Sequence, residues 1–208
     1  MIYEIGDNIN KQTELNNCNF VKGVLMVLVV FYHCIVFWHG DWFTNNPSRS
    51  SVLLFYLSQW LNSFHIYAFT LVSGYLFYYL KYEQKKYQKF LPFVVNKAKR
   101  LLIPYVFIAV IWVIPIQSLF FDYSMLDLFN KYVLAKSPSQ LWFLFMLFNV
   151  FVIFWFLSDF FERHSAWGIL IVLAFWGLSV VGGKIIPNYF MIWTACGYIP
   201  LFWIGFKI

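Results

Sequence analysis

Long apolar segments alternate with short polar ones along almost the whole chain. Six of them reach or approach the roughly 20 apolar residues that a helix needs to cross about 30 Å of hydrocarbon. Because backbone groups in lipid must bond within their own segment, each is predicted to be a transmembrane helix. The pattern predicts an all-α polytopic bundle of about six spans, with residues 1–208 as a single domain. The predicted spans are 21–38, 52–80, 101–121, 141–157, 166–183 and 189–206.

Composition agrees with this architecture. The 208 residues are 62% hydrophobic and 24% aromatic, with only 12% charged residues, whereas soluble domains average about 25%. We therefore expect a membrane protein without a soluble domain. Cys18, Cys34 and Cys196 lack CxxC spacing, so neither a disulfide framework nor a zinc site is indicated.

Positive charge concentrates after the second predicted span, in KYEQKKYQKFLPFVVNKAKR at 81–100. Cytoplasmic loops carry an excess of lysine and arginine, so this loop and the N-terminus are predicted to be cytoplasmic. Contact with anionic lipid explains most of the charge. The alternative is a docking surface for an anionic ligand, for which Arg100 is best placed. On this orientation only four cations lie outside, namely Arg49, Lys131, Lys136 and Lys184.

Two ionisable residues mark the first span, KGVLMVLVVFYHC at 22–34. Lys22 and His33 are eleven positions apart, about three helical turns plus 20°, so they project from one helix face. A charged side chain near the bilayer centre costs about 2.5 to 3.5 kcal/mol, and such residues usually face a cavity or a partner. His33 is thus a candidate catalytic residue. The alternative is a packing role, with a hydrogen bond to a neighbouring tyrosine or tryptophan.

The second span adds His65, at a depth comparable with that of His33, and the small pair Ser73 and Gly74. Two buried histidines could share a cavity, whereas the small pair is more typical of close helix packing. No aspartate or glutamate falls inside any predicted span, which argues against a proton-coupled transporter. No nucleotide-binding, zinc-protease or serine-hydrolase motif is present.

The motifs, in order, resemble those of the acyltransferase 3 family of membrane O-acyltransferases, which modify bacterial surface polysaccharides. Family members usually have about ten spans, so this chain resembles an N-terminal portion. It departs from the family at two positions: it has Asn19 where the family usually has an acid, and Tyr67 where the family usually has a proline. The stretches that carry the match are KGVLMVLVVFYHC, FHIYAFTLVSGYLF, KAKRLLIPYVF and QLWFLFMLF, with IPLFWIGF a weaker fifth.

The resemblance implies transfer of an acyl group, with acetyl expected, from cytoplasmic acyl-CoA to a hydroxyl of an envelope glycan or its lipid-linked precursor. It implies Lys22 as a donor-binding residue and His33 as the catalytic residue, for which general base and acyl carrier are both open. Arg100 lies at a further motif position, and its place at the end of the cationic loop makes it the second donor-binding candidate. His65 and Trp142 match other motif positions and, with Ser73, are candidates for lining the cavity.

The resemblance also places the chain in a bacterial inner membrane, in contact with lipids and without a metal or a nucleic-acid partner. Its oligomeric state is left open. Two alternatives stand beside the enzyme: a translocator for glycans or lipid-linked sugars without acyl chemistry, and a fragment inactive by itself.

Overall fold

The structure, a computed structural model, describes residues 2–36, 51–136 and 138–208. Regular elements in these ranges are all helical and include no strand, so the all-α prediction is confirmed. Among the described residues, five helices are long and apolar enough to cross a membrane. The end of the first predicted span, residues 37–38, and Arg49 lie outside the described residues. The five helices are Gln12–Val36, Phe90–Leu119, Ser139–Arg163, Ser165–Ile185 and Tyr189–Lys207.

Nine α-helices are described, together with short π-helical and 3₁₀ turns. The α-helices are α1 (Ile2–Val36), α2 (Val52–Asn62), α3 (His65–Tyr78), α4 (Phe90–Ile108), α5 (Ile114–Phe120), α6 (Met125–Leu128), α7 (Trp142–Arg163), α8 (Ser165–Ile185) and α9 (Ile192–Lys207). Wider π-helical turns occupy Tyr79–Glu83, Ala109–Val113 and Phe129–Val133, and 3₁₀ turns occupy Ser139–Leu141 and Tyr189–Met191.

The second predicted span is broken. Instead of one helix over 52–80, α2 ends at Asn62 and α3 begins at His65, with Phe64 in a non-helical conformation (φ −136°, ψ −30°). Side chains add hydrogen bonds at the break: the Ser63 hydroxyl donates to the carbonyl of Trp60 (2.7 Å), and Nδ1 of His65 donates to that of Leu61, beside backbone bonds to the same two carbonyls. The break explains why five long helices are found where six spans were predicted.

The cationic segment at 81–100 is only half a loop. Its prediction as loop is wrong from Phe90 onwards, where α4 begins. Phe93 and Lys97, one turn apart, are buried while α4 packs on α7, and this burial favours the helix over a solvated loop. Pro92 falls in the first turn of α4, where a helix needs no donor.

Proline also shapes the end of the long helix that follows. Pro115 has no N–H to donate to the carbonyl four residues earlier, and its ring crowds that carbonyl. The π-helical turn Ala109–Val113 directly precedes it, so the hydrogen-bond ladder widens where the proline interrupts it. The segment remains helical from Phe90 to Phe120.

The chain forms two compact units, Met1–Tyr79 with Ile204–Ile208, and Leu80–Trp203. In the first unit α1 packs against both α2 and α3. The end of α9 packs against α3 so closely that a Cβ on Gly205 would lie 1.9 Å from the carbonyl oxygen of Leu71. Phe206 adds a ring contact with Tyr78 (5.2 Å between centroids).

The second unit has an aromatic core built around α7. Phe154 and Phe202 lie 4.7 Å apart between ring centroids, and both are fully buried. Phe161 joins them at 5.0 Å from Phe154. Close packing of α8 depends on Gly168, where a Cβ would meet Phe161 at 3.1 Å.

We expect Gly205→Ala to destabilise the first unit, because the new methyl group would collide with backbone rather than with a movable side chain. Overpacking of this kind costs roughly 1–3 kcal/mol or more. Gly177→Ala in α8 is the matched control, since nothing lies within 4 Å of its Cβ position. The thermal midpoints of the detergent-solubilised variants test this, and a Gly205→Ala midpoint at or above wild type would contradict the packing.

Candidate functional site

Lys22 and His33 lie on the face of α1 that packs against α3. The Lys22 ammonium is 5.4 Å from the centroid of the Phe69 ring. Three turns along, the Tyr32 ring lies 5.3 Å from the imidazole of His33 and 5.1 Å from that of His65. The predicted stripe on α1 therefore faces a neighbouring helix instead of lipid.

The two histidines lie around one tyrosine ring. His33 is half-buried, and its Nδ1 atom is buried. This geometry agrees with the expectation that two buried histidines share surroundings, but it assigns no catalytic role.

His65 is held in a fixed orientation. Its side chain is 1% exposed, and its Nδ1 bonds to the carbonyl of Leu61 at the end of α2. Because a carbonyl only accepts, the proton of the neutral ring lies on Nδ1 and Nε2 carries the lone pair. His65 can thus accept a hydrogen bond through Nε2 while the helix break fixes its other nitrogen.

Ser73 extends the same side of α3. It follows His65 and Phe69 at intervals of four residues, so the three side chains form one row along the helix. Ser73 is 1% exposed, and its hydroxyl oxygen is buried without a hydrogen-bond partner among the described residues. Buried hydroxyls are nearly always bonded, so this one is a candidate to contact a bound molecule.

Sequence reasoning missed an acid on this face. The first span was predicted to begin at residue 21, whereas α1 begins at Ile2. Glu14 accepts a hydrogen bond from the Tyr75 hydroxyl (2.7 Å), and Cys18 lies within range of the charges of Glu14 and Lys22. The spacing of four residues from Glu14 to Cys18 to Lys22 is the signal that could have found it.

The remaining candidates belong to the second unit. Arg100 is exposed on α4, and its charge acts on Tyr87. One turn earlier Lys97 is buried, with its ammonium 3.8 Å from the centroid of the Phe151 ring. Trp142 is the first residue of α7 and is half-buried. The centroid of its ring lies 5.8 Å from that of the Tyr198 ring. Lys22, His33, His65 and Ser73 form one group within the first unit, which includes neither Arg100 nor Trp142.

An ion pair between a buried lysine and an exposed aspartate corrects two expectations. Lys81, expected in a solvated loop, is 5% exposed and lies 2.8 Å from an Asp159 oxygen and 2.5 Å from the Ser158 hydroxyl. Asp159 and Glu162 lie within the apolar helix Ser139–Arg163, so the prediction that no span contains an acid is wrong once the helix bounds are known.

Tyr82 completes this group by donating to Asp159 (2.7 Å). Burial, and the hydrogen bond to that carboxylate, raise the pKa of the Tyr82 phenol, so it stays a donor at neutral pH. Among the residues that the structure describes, no three histidine, cysteine or acidic side chains are grouped to hold a metal ion.

Comparison with known families matches almost the whole chain. The family model described as an acyltransferase domain, that of the acyltransferase 3 family, matches residues 15–208. The matched range contains Lys22, His33, His65, Arg100 and Trp142. No significant match was found among curated proteins or among solved structures.

The Lys81–Asp159 pair is asymmetric, and this predicts unequal effects of its two deletions. Asp159→Asn leaves a buried ammonium without its counter-charge, whereas Lys81→Met leaves a carboxylate whose side chain is 65% exposed. We expect Asp159→Asn to cost roughly 1–2 kcal/mol, less than breaking a fully buried pair because water screens the exposed carboxylate, and Lys81→Met clearly less.

The thermal midpoints of the two single variants in detergent measure these losses of stability. Adding Lys81→Met to Asp159→Asn should restore part of the stability that Asp159→Asn loses. Equal losses in the two single variants would contradict the assigned burial.

Proposed function

Because the chain belongs to the acyltransferase 3 family, we propose that this multi-pass membrane protein acylates a glycan of the bacterial envelope. The donor is acyl-CoA at the cytoplasmic face, with acetyl as the acyl group. The acceptor is a hydroxyl of a surface polysaccharide or of its lipid-linked precursor. The membrane is the bacterial inner membrane.

One observation supports this proposal more than any other: Lys22 and His33 share the face of α1 that packs against α3. An ammonium at one end of this face suits the phosphates of a polyanionic donor. An imidazole three turns further along, beside Tyr32 and His65, suits proton transfer at an acceptor hydroxyl.

In the proposed step His33 removes the proton of the acceptor hydroxyl while its oxygen attacks the thioester carbonyl carbon. The new C–O bond forms, the C–S bond breaks, and the imidazolium returns the proton to the CoA thiolate. In the alternative, a His33 nitrogen attacks first and carries the acyl group before the hydroxyl takes it. A trapped acyl-enzyme in single-turnover experiments would favour that second course.

Replacing His33 by alanine is expected to lower turnover roughly 10²–10⁴-fold, since that is the usual contribution of a positioned acid–base group. The assay is transfer of labelled acyl groups from acyl-CoA by membranes containing the full-length protein. Cys34→Ala is the control, because Cys34 is the next residue along α1 but is exposed.

Normal turnover of His33→Ala at wild-type protein levels would refute the assignment. Acceptor movement that ignores acyl-CoA in the unaltered protein would favour the translocator instead.

Replacing Lys22 by alanine is expected to raise KM for acyl-CoA about tenfold with little change in kcat. Loss of a charge-assisted contact made equally in the bound donor and the transition state has this effect. Lys22→Arg keeps the charge and should retain most of the affinity. A fall in kcat at unchanged KM would place Lys22 outside the donor site.

A further inference from the structure

A small polar pocket lies in the second unit, beside the connection between α3 and α4. Its volume is about 290 Å³, at the lower edge of the roughly 300–1,000 Å³ typical of small-molecule sites. It can therefore hold one end of a larger ligand. Its lining residues are Lys81, Tyr82, Lys85, Gln88, Trp155 and Asp159.

Three of these residues offer different kinds of contact. Lys81 is already neutralised by Asp159, so the exposed Lys85 supplies the net positive charge. Trp155 contributes an indole ring held in place by its N–H bond to the carbonyl of Tyr87 (3.1 Å), with the Lys81 ammonium over the ring at 5.2 Å from its centroid, so a ligand base stacks on the remaining ring surface. Asp159, largely exposed, contributes carboxylate oxygens that can accept from a ligand hydroxyl.

The complementary ligand is a nucleotide. A phosphate pairs with a lysine ammonium, a base stacks on an indole, and a ribose hydroxyl donates to a carboxylate. We propose that this pocket binds the nucleotide end of the acyl-CoA donor, an inference that rests on the function proposed above. The charge of Arg100, which acts on neighbouring Tyr87, adds to the positive potential around it.

The backbone beside the pocket is distorted in the way ligand sites often are. The π-helical turn Tyr79–Glu83 replaces the end of α3, and the Lys86 N–H reaches back to the carbonyl of Leu80 (2.8 Å). Lys85 has φ 52°, a left-handed conformation that costs energy in any residue with a Cβ. Strained residues of this kind cluster at ligand sites, which agrees with a binding role.

Lys85→Gly tests the proposal cleanly, because glycine adopts the left-handed conformation without strain and removes only the side chain. Lys86→Gly is the matched control in the same turn, since Lys86 is exposed but does not line the pocket. KM is measured for acyl-CoA and for the corresponding acyl-pantetheine, which carries the same thioester but no nucleotide. Direct binding of adenosine 3′,5′-bisphosphate to the full-length protein in nanodiscs gives a second readout that needs no turnover.

We expect Lys85→Gly to raise KM for acyl-CoA about tenfold, to leave acyl-pantetheine kinetics unchanged, and to weaken adenosine 3′,5′-bisphosphate binding similarly. Lys86→Gly should change none of these. Equal effects on the two donors would overturn the proposal, and so would unaltered nucleotide binding. An effect that disappears in nanodiscs of neutral lipid would also overturn it, because it would show that the site binds lipid headgroups. Nucleotide binding without acyl transfer in the unaltered protein would refute the proposed function but not the pocket.

Discussion

Polar side chains on α1 lie within a helix that lipid cannot solvate, and its antiparallel packing on α3 supplies their contacts. Successive positions along α1 meet earlier and earlier positions of α3, so acid, cation and imidazole each have an aromatic or polar neighbour. The candidate site of the first unit depends on this pairing. The pairs are Glu14 with Tyr75, Lys22 with Phe69, and Tyr32 with His65.

The break between α2 and α3 connects the fold to the candidate site. His65 is the first residue of α3, and the same side chain satisfies the carbonyl of Leu61 at the end of α2. A bond that closes one helix thus fixes the tautomer and direction of an imidazole facing Tyr32. The same carbonyl also accepts from the Phe64 N–H (3.3 Å), so the turn between α2 and α3 and the His65 ring are held by one acceptor.

Hydropathy predicted the helices and the period of 3.6 residues predicted the shared face of Lys22 and His33, because both are local properties of the sequence. The break at Ser63 and Phe64 was not predicted, because a window as long as a span averages over the few polar residues around it and neither residue is a glycine or a proline. The Lys81–Asp159 pair was not predicted for another reason. It joins residues far apart in the chain, and a hydropathy profile locates charged residues at span ends without showing which of them are in contact.

The Lys81–Asp159 pair also affects how a cationic segment can select one anionic ligand over another. Exposed lysines attract the phosphates of lipids and of soluble donors alike, because the strength of this attraction depends almost only on the charge of the ligand. Discrimination needs groups with fixed direction, and Trp155, tied through its N–H to the carbonyl of Tyr87, is one. Neutralising Lys81 with Asp159 keeps the net charge of the pocket low. Stacking and hydrogen bonding then carry more of the binding free energy, and an anion lacking a planar base gains less from the site.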